Sequence, residues 1–486
     1  VLDASGGTDK LGCLHFAARV SMSTVSDTSA ATLSRELGPV GVMMLTLSAL
    51  SPVASVYIGG AGVLHLAGTG AALGYVLGGL VSALVSLLCA ELGGSFPRAG
   101  GLYPGLVATV GGCLGFGYVA LSLLAAPLFM AFASYGFASY VRVLIPALPH
   151  SAIVAGVLVL ATGIAVLKIR TSALVTGLFL AIEAVALIVL AGVAALHPVR
   201  SLAEVVFHPV MLIQGALRPT PPVTMAMAVV AGVWSTAGAT WAMFFGEDMR
   251  NAQRRIGSVV AWAGLIAAIL IAAPVALVVL AAPDLKAMLA AEAPIAAFLN
   301  QTSGPLVAGI VSAGVLAAIF NNLVAASMGL SRFLFSTGRD ALWSGGVNRW
   351  LSSISPTFGS PLNAALALAV VAYLCSLMGE RALITLLAGD VSYVILTALA
   401  ILVGRRAGTT GQFYRAPAHP VLPAFALLVA AASVVANLYD PEAGRPSTFI
   451  LSGVFAAACA YYALGLRRRT GGFTSYVPPA PAEEAA

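Results

Sequence analysis

The sequence predicts an all-α polytopic membrane protein of about twelve spanning helices, on three observations. Of its 486 residues 60% are apolar and only 9% charged, and the mean hydropathy is +0.99. A soluble domain carries roughly 25% charged residues, so this chain lacks the groups to cover a water-facing surface. Apolar stretches of spanning length recur from about residue 40 to residue 466. The Lys and Arg residues between those stretches alternate in density from one connection to the next, as membrane topology requires.

Residues 1–37 are polar and mixed and form an expected cytoplasmic N-terminal tail, with no apolar segment of the kind a cleaved signal peptide needs. Met22 opens the run MSTVSDTSAATLSRELGPVG, which reads as a natural start, with residues 1–21 then expected to be an upstream extension. Spans follow at 40–65, 70–93, 112–142, 150–167, 171–196, 223–245, 257–282, 305–335, 362–379, 382–404, 418–438 and 447–466. They group into a core over 38–404, with halves 38–196 and 223–404, and a pair of helices in 405–469. Residues 470–486 are polar and Pro-rich, an expected cytoplasmic tail. More than half of the 51 Gly fall inside the spans, with Pro52, Pro127, Pro274, Pro305, Pro420 and Pro423 of the 26 Pro. Spanning helices tolerate them where neighbours or cavity water satisfy the freed backbone groups.

With the N-terminus inside, only Arg142, Arg200, Arg218, Lys286, Arg381 and Arg445 of the 24 Lys and Arg lie outside. The remaining eighteen face the cytoplasm, which supports both the span count and an inner-membrane orientation with both termini cytoplasmic. The net charge of +6 is therefore topological, and no nucleic-acid partner is expected. The five cysteines (Cys13, Cys89, Cys113, Cys375, Cys459) show neither metal-ligand nor CxxC spacing, and four lie in apolar segments as small packing residues. No metal site is expected.

Enzyme signatures are missing: the chain has no HExxH, no GxSxG and no phosphate-cradling GxxxxGK[ST]. The cluster Gly59, Gly60, Gly62 lies inside an apolar span, where close helix packing explains it. Polarity is concentrated at mid-depth instead. In the first span Ser51, Pro52, Val53, Ala54 and Ser55 follow Ser48, and Pro52, which lacks an N–H, should open the helix. In the sixth span Trp234, Ser235, Gly238 and Ala239 lie in a similarly small and polar run. Irregular backbone persists in lipid only where it is buried or lines a cavity, and in transporters it holds substrate and coupling ions. A proline kink with serines bonding back to their own helix is the plainer explanation of either segment alone. Two breaks five helices apart, however, are what an inverted repeat of five plus five produces. Glu183 near the centre of the fifth span and Asp390 in the tenth are the carboxylates well inside spans, again five helices apart. A carboxyl group at that depth is costly unless neutral, paired or facing water, and burial favours its protonated form, as a proton carrier requires. A protonated carboxyl bonded to a neighbouring helix is the structural alternative. Asn321 and Asn322 in the eighth span add a cavity-facing amide.

These residues resemble the amino acid–polyamine–organocation superfamily of permeases, of the bacterial amino acid permease type, from about Gly38 to Arg469. Three segments carry the resemblance. Ser95-Phe-Pro97-Arg-Ala-Gly100-Gly101-Leu-Tyr103 is similar to the family's S-x-P-x-x-G-G-x-Y after the second helix. Glu247-Asp248-Met249-Arg250-Asn251-Ala252-Gln253-Arg254 is similar to its E-E-x-x-N-P-x-R after the sixth, with Ala252 in place of Pro. Ser331-Arg332 through Gly338-Arg339-Asp340 is similar to its S-R-x-x-x-x-x-G-R-D after the eighth. The resemblance implies a LeuT-type five-plus-five inverted repeat with the first and sixth helices broken at the substrate. It also implies that backbone around Ser51 to Ser55 takes the substrate carboxylate and that around Trp234 to Ala239 the ammonium. The family's frequent Gly-Ser-Gly in the first helix is here Ser51-Pro52-Val53-Ala54-Ser55. Where some members carry a coupling lysine in the fifth helix, this chain has Glu183.

The expected function is secondary active transport of amino acids or related small amines by alternating access, without a cofactor and coupled to protons, with a sodium-coupled carrier of the same fold as an alternative. A substrate exchanger of the same fold is one alternative, and a channel or a membrane enzyme is the alternative from another class. The lack of an acidic residue at either break favours neutral substrates over polyamines.

Overall fold

The computed structural model describes residues 33–387 and 390–467. Its main helices are α1 (Pro39–Ala67), α2 (Gly70–Ser95), α3 (Gly112–Arg142), α4 (His150–Ala165), α5 (Ile169–Leu196), α6 (Pro222–Phe245), α7 (Ala252–Ala281), α8 (Pro294–Arg339), α9 (Leu362–Ser376), α10 (Glu380–Leu387 and Ser392–Ala407), α11 (Val421–Tyr439) and α12 (Gly444–Leu466). Among the described residues ten of these are long and apolar enough to cross a membrane; α4 and α9 are apolar but shorter. The chain is thus mostly helical and multi-pass. The expected start at Met22 and most of both tails lie outside the described residues.

Each long helix sorts its side chains by solvent. Along α5, Leu174, Leu178, Ile182, Val185 and Val189 recur at helical spacing and face outward, where lipid would lie. The opposite face buries Ser172, Thr176, Glu183, Leu187 and Leu190. Between helices the driving contact is close backbone approach, since lipid offers apolar surface of its own. A Cβ on Gly78 of α2 would lie 2.5 Å from the Gly232 carbonyl carbon of α6, and one on Gly232 would lie 2.4 Å from the Gly74 oxygen. Glycine at these positions lets α2 and α6 touch backbone to backbone, and α7 closes on the same helix where Gly264 meets Ser86.

Three features depart from the expected elements. The eighth helix begins at Pro294 rather than near 305 and bends at Gly304 (φ 79°). A hairpin unanticipated in the sequence, Val210–Ile213 (β1) paired antiparallel with Ala216–Pro219 (β2), joins α5 to α6. Its two turn residues, Gln214 and Gly215, both take positive φ, which matches the twist of a two-residue hairpin. Asp390, expected inside a continuous span over 382–404, instead lies between the two pieces of α10, where its Oδ1 accepts the Ser392 N–H at 2.9 Å. A short acidic side chain that binds a nearby N–H competes with the helix and favours its start.

Candidate functional site

The break in α1 follows from Pro52. Without an N–H, Pro52 leaves the Ser48 carbonyl without its helical donor. Ser51 turns to φ 49°, ψ 82°, a left-handed conformation rare for a residue with a side chain, and the first segment ends at Leu50. The helix resumes at Pro52 and passes through a π-type turn over Ser55–Gly59.

In an unbroken helix the Val53 N–H would donate to the Ala49 carbonyl. Here the two groups go to different neighbours. The Val53 N–H faces the Glu183 carboxylate on α5, and the Ala49 carbonyl accepts from Asn322 Nδ2 on α8 at 2.6 Å. Glu183 is 1% exposed, and it also accepts from Asn321 Nδ2 at 2.8 Å (Oε1) and from Ser51 Oγ at 3.3 Å (Oε2). A carboxylate at the start of the resumed helix also suits the positive end of its dipole. Glu183, Asn321 and Asn322 thus clasp the opened turn of α1 from two sides, satisfying groups that would otherwise be stranded in an apolar interior.

The sixth helix breaks opposite. Its first half ends at Thr236, Ala237 is extended, and Gly238 adopts φ 151° before a 3₁₀ segment over Ala239–Phe245. A Cβ on Gly238 would lie 2.8 Å from Leu50 Cδ1, so the last residue before one break rests on the glycine of the other. Higher up, a Cβ on Gly59 would lie 2.8 Å from Ser235 Oγ and 3.1 Å from the Tyr75 hydroxyl. Tyr75, fully buried on α2, donates that hydroxyl to the Ser55 carbonyl at 3.1 Å. Sequence reasoning missed Tyr75, which in one dimension is an ordinary aromatic in an apolar run.

The structure therefore gathers Ser51, Pro52, Val53, Ala54, Ser55, Ser235, Gly238, Ala239, Glu183, Asn321 and Asn322 around the two breaks. Trp234, whose side chain is 43% exposed, sits in the last turn before the α6 break. Asp390 stands apart, and among the described residues no hydrogen bond joins it to Glu183. Asn321 Oδ1 and Ser327 Oγ on α8 are buried without a hydrogen-bond partner among the described residues. No group of three or more His, Cys, Asp or Glu able to hold a metal ion occurs among the described residues.

The three motif segments meet elsewhere, at one end of the bundle. Arg332 grips Asp248 through Nε at 2.7 Å and Nη2 at 3.2 Å, and Arg339 grips Glu247 through two bonds of 2.7 Å. The Ala99 N–H donates to Glu247 at 3.1 Å, and the Tyr103 hydroxyl donates to Asp340 at 2.7 Å. Burial pushes the Asp248 carboxyl up from its ordinary range, against the pull of the adjacent Arg332 guanidinium. Extended backbone just before α1 joins this clasp: Leu37 donates its N–H to the Asp248 carbonyl and accepts the Arg250 N–H, each at 2.9 Å. A further ion pair, Glu91 of α2 with Arg405 of α10, holds the Ala416 N–H at 2.7 Å as well. Its partners are 314 residues apart, and no local pattern in the sequence signals it.

A family model described as amino acid permease matches residues 37–465. Over 400 residues the chain is 25% identical to the branched-chain amino acid permease BcaP of Lactococcus lactis subsp. cremoris (strain MG1363), an alignment covering 75% of this chain and 81% of the relative.

Proposed function

We propose that this chain, which belongs to the amino acid permease family, carries a neutral amino acid across the cell membrane by alternating access, driven by protons. The observation that carries the reading is the facing of the two helix breaks, with Leu50 against Gly238 and Gly59 against Ser235. Broken helices meeting inside a polytopic bundle place unpaired backbone ends at one point, the chemistry that receives a zwitterion. In this reading backbone N–H groups around Ser51 to Ser55 receive the substrate carboxylate, and carbonyls around Trp234 to Ala239 the ammonium. Neither break presents an acidic side chain of its own, which suits a neutral substrate, and the similarity to a branched-chain amino acid permease favours an aliphatic one.

The architecture we propose has twelve spans in an inner membrane, with α4 and α9 as the short ones. The halves 38–196 and 223–404 form the inverted repeat, α11 and α12 fill 405–469, and the tails 1–37 and 470–486 are cytoplasmic. Glu183 is the proton site. Its carboxylate already accepts from Ser51 and Asn321, so a bound proton takes one acceptor position from the α1 break and loosens that clasp. A ligand shifts a conformational equilibrium only by its differential affinity for the two states, and the loosened clasp supplies the difference. Asp390, at the interruption of α10, is a second ion-coupling candidate.

Sodium coupling is the second reading, favoured by Asn321 Oδ1 and Ser327 Oγ, two buried oxygens without hydrogen-bond partners among the described residues. Uptake of labelled leucine, isoleucine and valine into proteoliposomes under separate proton and sodium gradients decides between them. Accumulation under a proton gradient alone is expected. Accumulation only with sodium transfers the coupling role to α8, and leakage without saturable counterflow would make the protein a channel.

A further inference from the structure

Two of the cysteines read above as packing residues lie against each other across the contact between α3 and α12. Cys113 is the second residue of α3 and Cys459 lies one turn before the π-type end of α12. Each thiol reaches the other residue's main chain: Cys113 Sγ lies 3.8 Å from the Cys459 carbonyl oxygen, and Cys459 Sγ lies 3.5 Å from that of Cys113. Each thiol thus lies against the other residue's main chain, the proximity from which a disulfide can close. The crossing is close because its neighbours are glycines. A Cβ on Gly112 would lie 2.1 Å from the Tyr462 hydroxyl, and one on Gly117 would lie 2.6 Å from the Phe455 ring. Both thiols are free and only half-buried, and Gly111 beside Cys113 is exposed, so a small oxidant in water can reach the pair.

We propose that Cys113 and Cys459 form an oxidisable thiol pair that closes into a disulfide stapling α12 to α3. The topology set out above puts the pair at the cytoplasmic end of both helices, where thiol pools keep it reduced until a peroxide appears. The chemistry balances in two steps. Hydrogen peroxide converts one thiol to a sulfenic acid with release of water; the second thiol then attacks that sulfur, forming the S–S bond and releasing a second water. Peroxide is reduced, two thiols are oxidised, and no other reactant is needed.

The test uses full-length protein in lipid with Cys13, Cys89 and Cys375 replaced by alanine, treated with hydrogen peroxide. A protease site is introduced in the loop at 352–361. After treatment, maleimide labelling of both remaining cysteines should disappear. Non-reduced digests should contain the 113–459 linked peptide, and protein cut at the introduced site should run as one band until reductant is added. Cys459→Ser should abolish the link and leave Cys113 at the sulfenic acid stage. Two cysteines that remain labelled after peroxide, or a band that separates without reductant, overturn the proposal. Disulfide-linked dimers in place of the internal link would overturn it too. None of these readouts depends on transport, so the outcome stands apart from the function proposed above.

Discussion

Ser51 donates its side-chain hydroxyl to Glu183, joining the residue whose left-handed backbone breaks α1 to the one carboxylate buried on α5. The bond makes Glu183 part of the break itself, so a change of charge on the carboxyl acts directly on the segment proposed to hold substrate.

Glu183→Gln should therefore separate exchange from accumulation. The amide keeps an acceptor for Asn321 and presents an NH₂ group to the Ser51 hydroxyl, which can accept, but it cannot bind and release a proton. Counterflow of labelled substrate should persist while accumulation driven by a pH gradient disappears. A Glu183→Gln protein that concentrates substrate as well as the parent would leave Glu183 a structural clasp alone.

Gly238 tests the site through backbone rather than charge. At φ 151° a Cβ is strained and would also press on Leu50 at 2.8 Å. Gly238→Ala should cost about 1–3 kcal/mol of backbone strain and weaken substrate binding, while Gly238→Val should abolish binding. Thermal shift of the folded protein with leucine reads both effects. Undiminished affinity in a folded Gly238→Val protein would move the site elsewhere.

Arg332 and Asp248 form a buried pair whose loss is asymmetric. Removing only Arg332, as in Arg332→Met, strands the Asp248 charge and should cost about 3–5 kcal/mol. Combining it with Asp248→Asn should recover much of that, because no uncompensated charge remains. Melting temperatures in detergent compare the two, and a double variant no more stable than Arg332→Met would contradict an electrostatic role for the pair.

Orientation is checked with single cysteines at Ser201 and Thr409, both exposed in loops. In a cysteine-free background the first should label from outside the cell and the second only after the membrane is made permeable. Equal labelling of both in intact cells would refute the proposed topology.

The sequence by itself determined the membrane class and the positions of both breaks, because these depend on properties each residue carries with it. Runs of apolar side chains are too long for any soluble surface, Pro52 has no N–H in any context, and Gly238 alone tolerates φ 151° without strain. The identity of the partners was decided by tertiary structure. Asn322 reaches the Ala49 carbonyl 273 positions away and Ser51 reaches Glu183 across 132, and the α5 and α8 residues that a linear reading marks as polar in a span turn out to hold α1 open. Tyr75 on Ser55, Arg405 on Glu91 and the interruption at Asp390 were equally hidden. A backbone group freed inside lipid must find some partner, but which helix supplies it depends on packing at a distance, where close approach at Gly74, Gly78 and Gly232 sets the helices side by side.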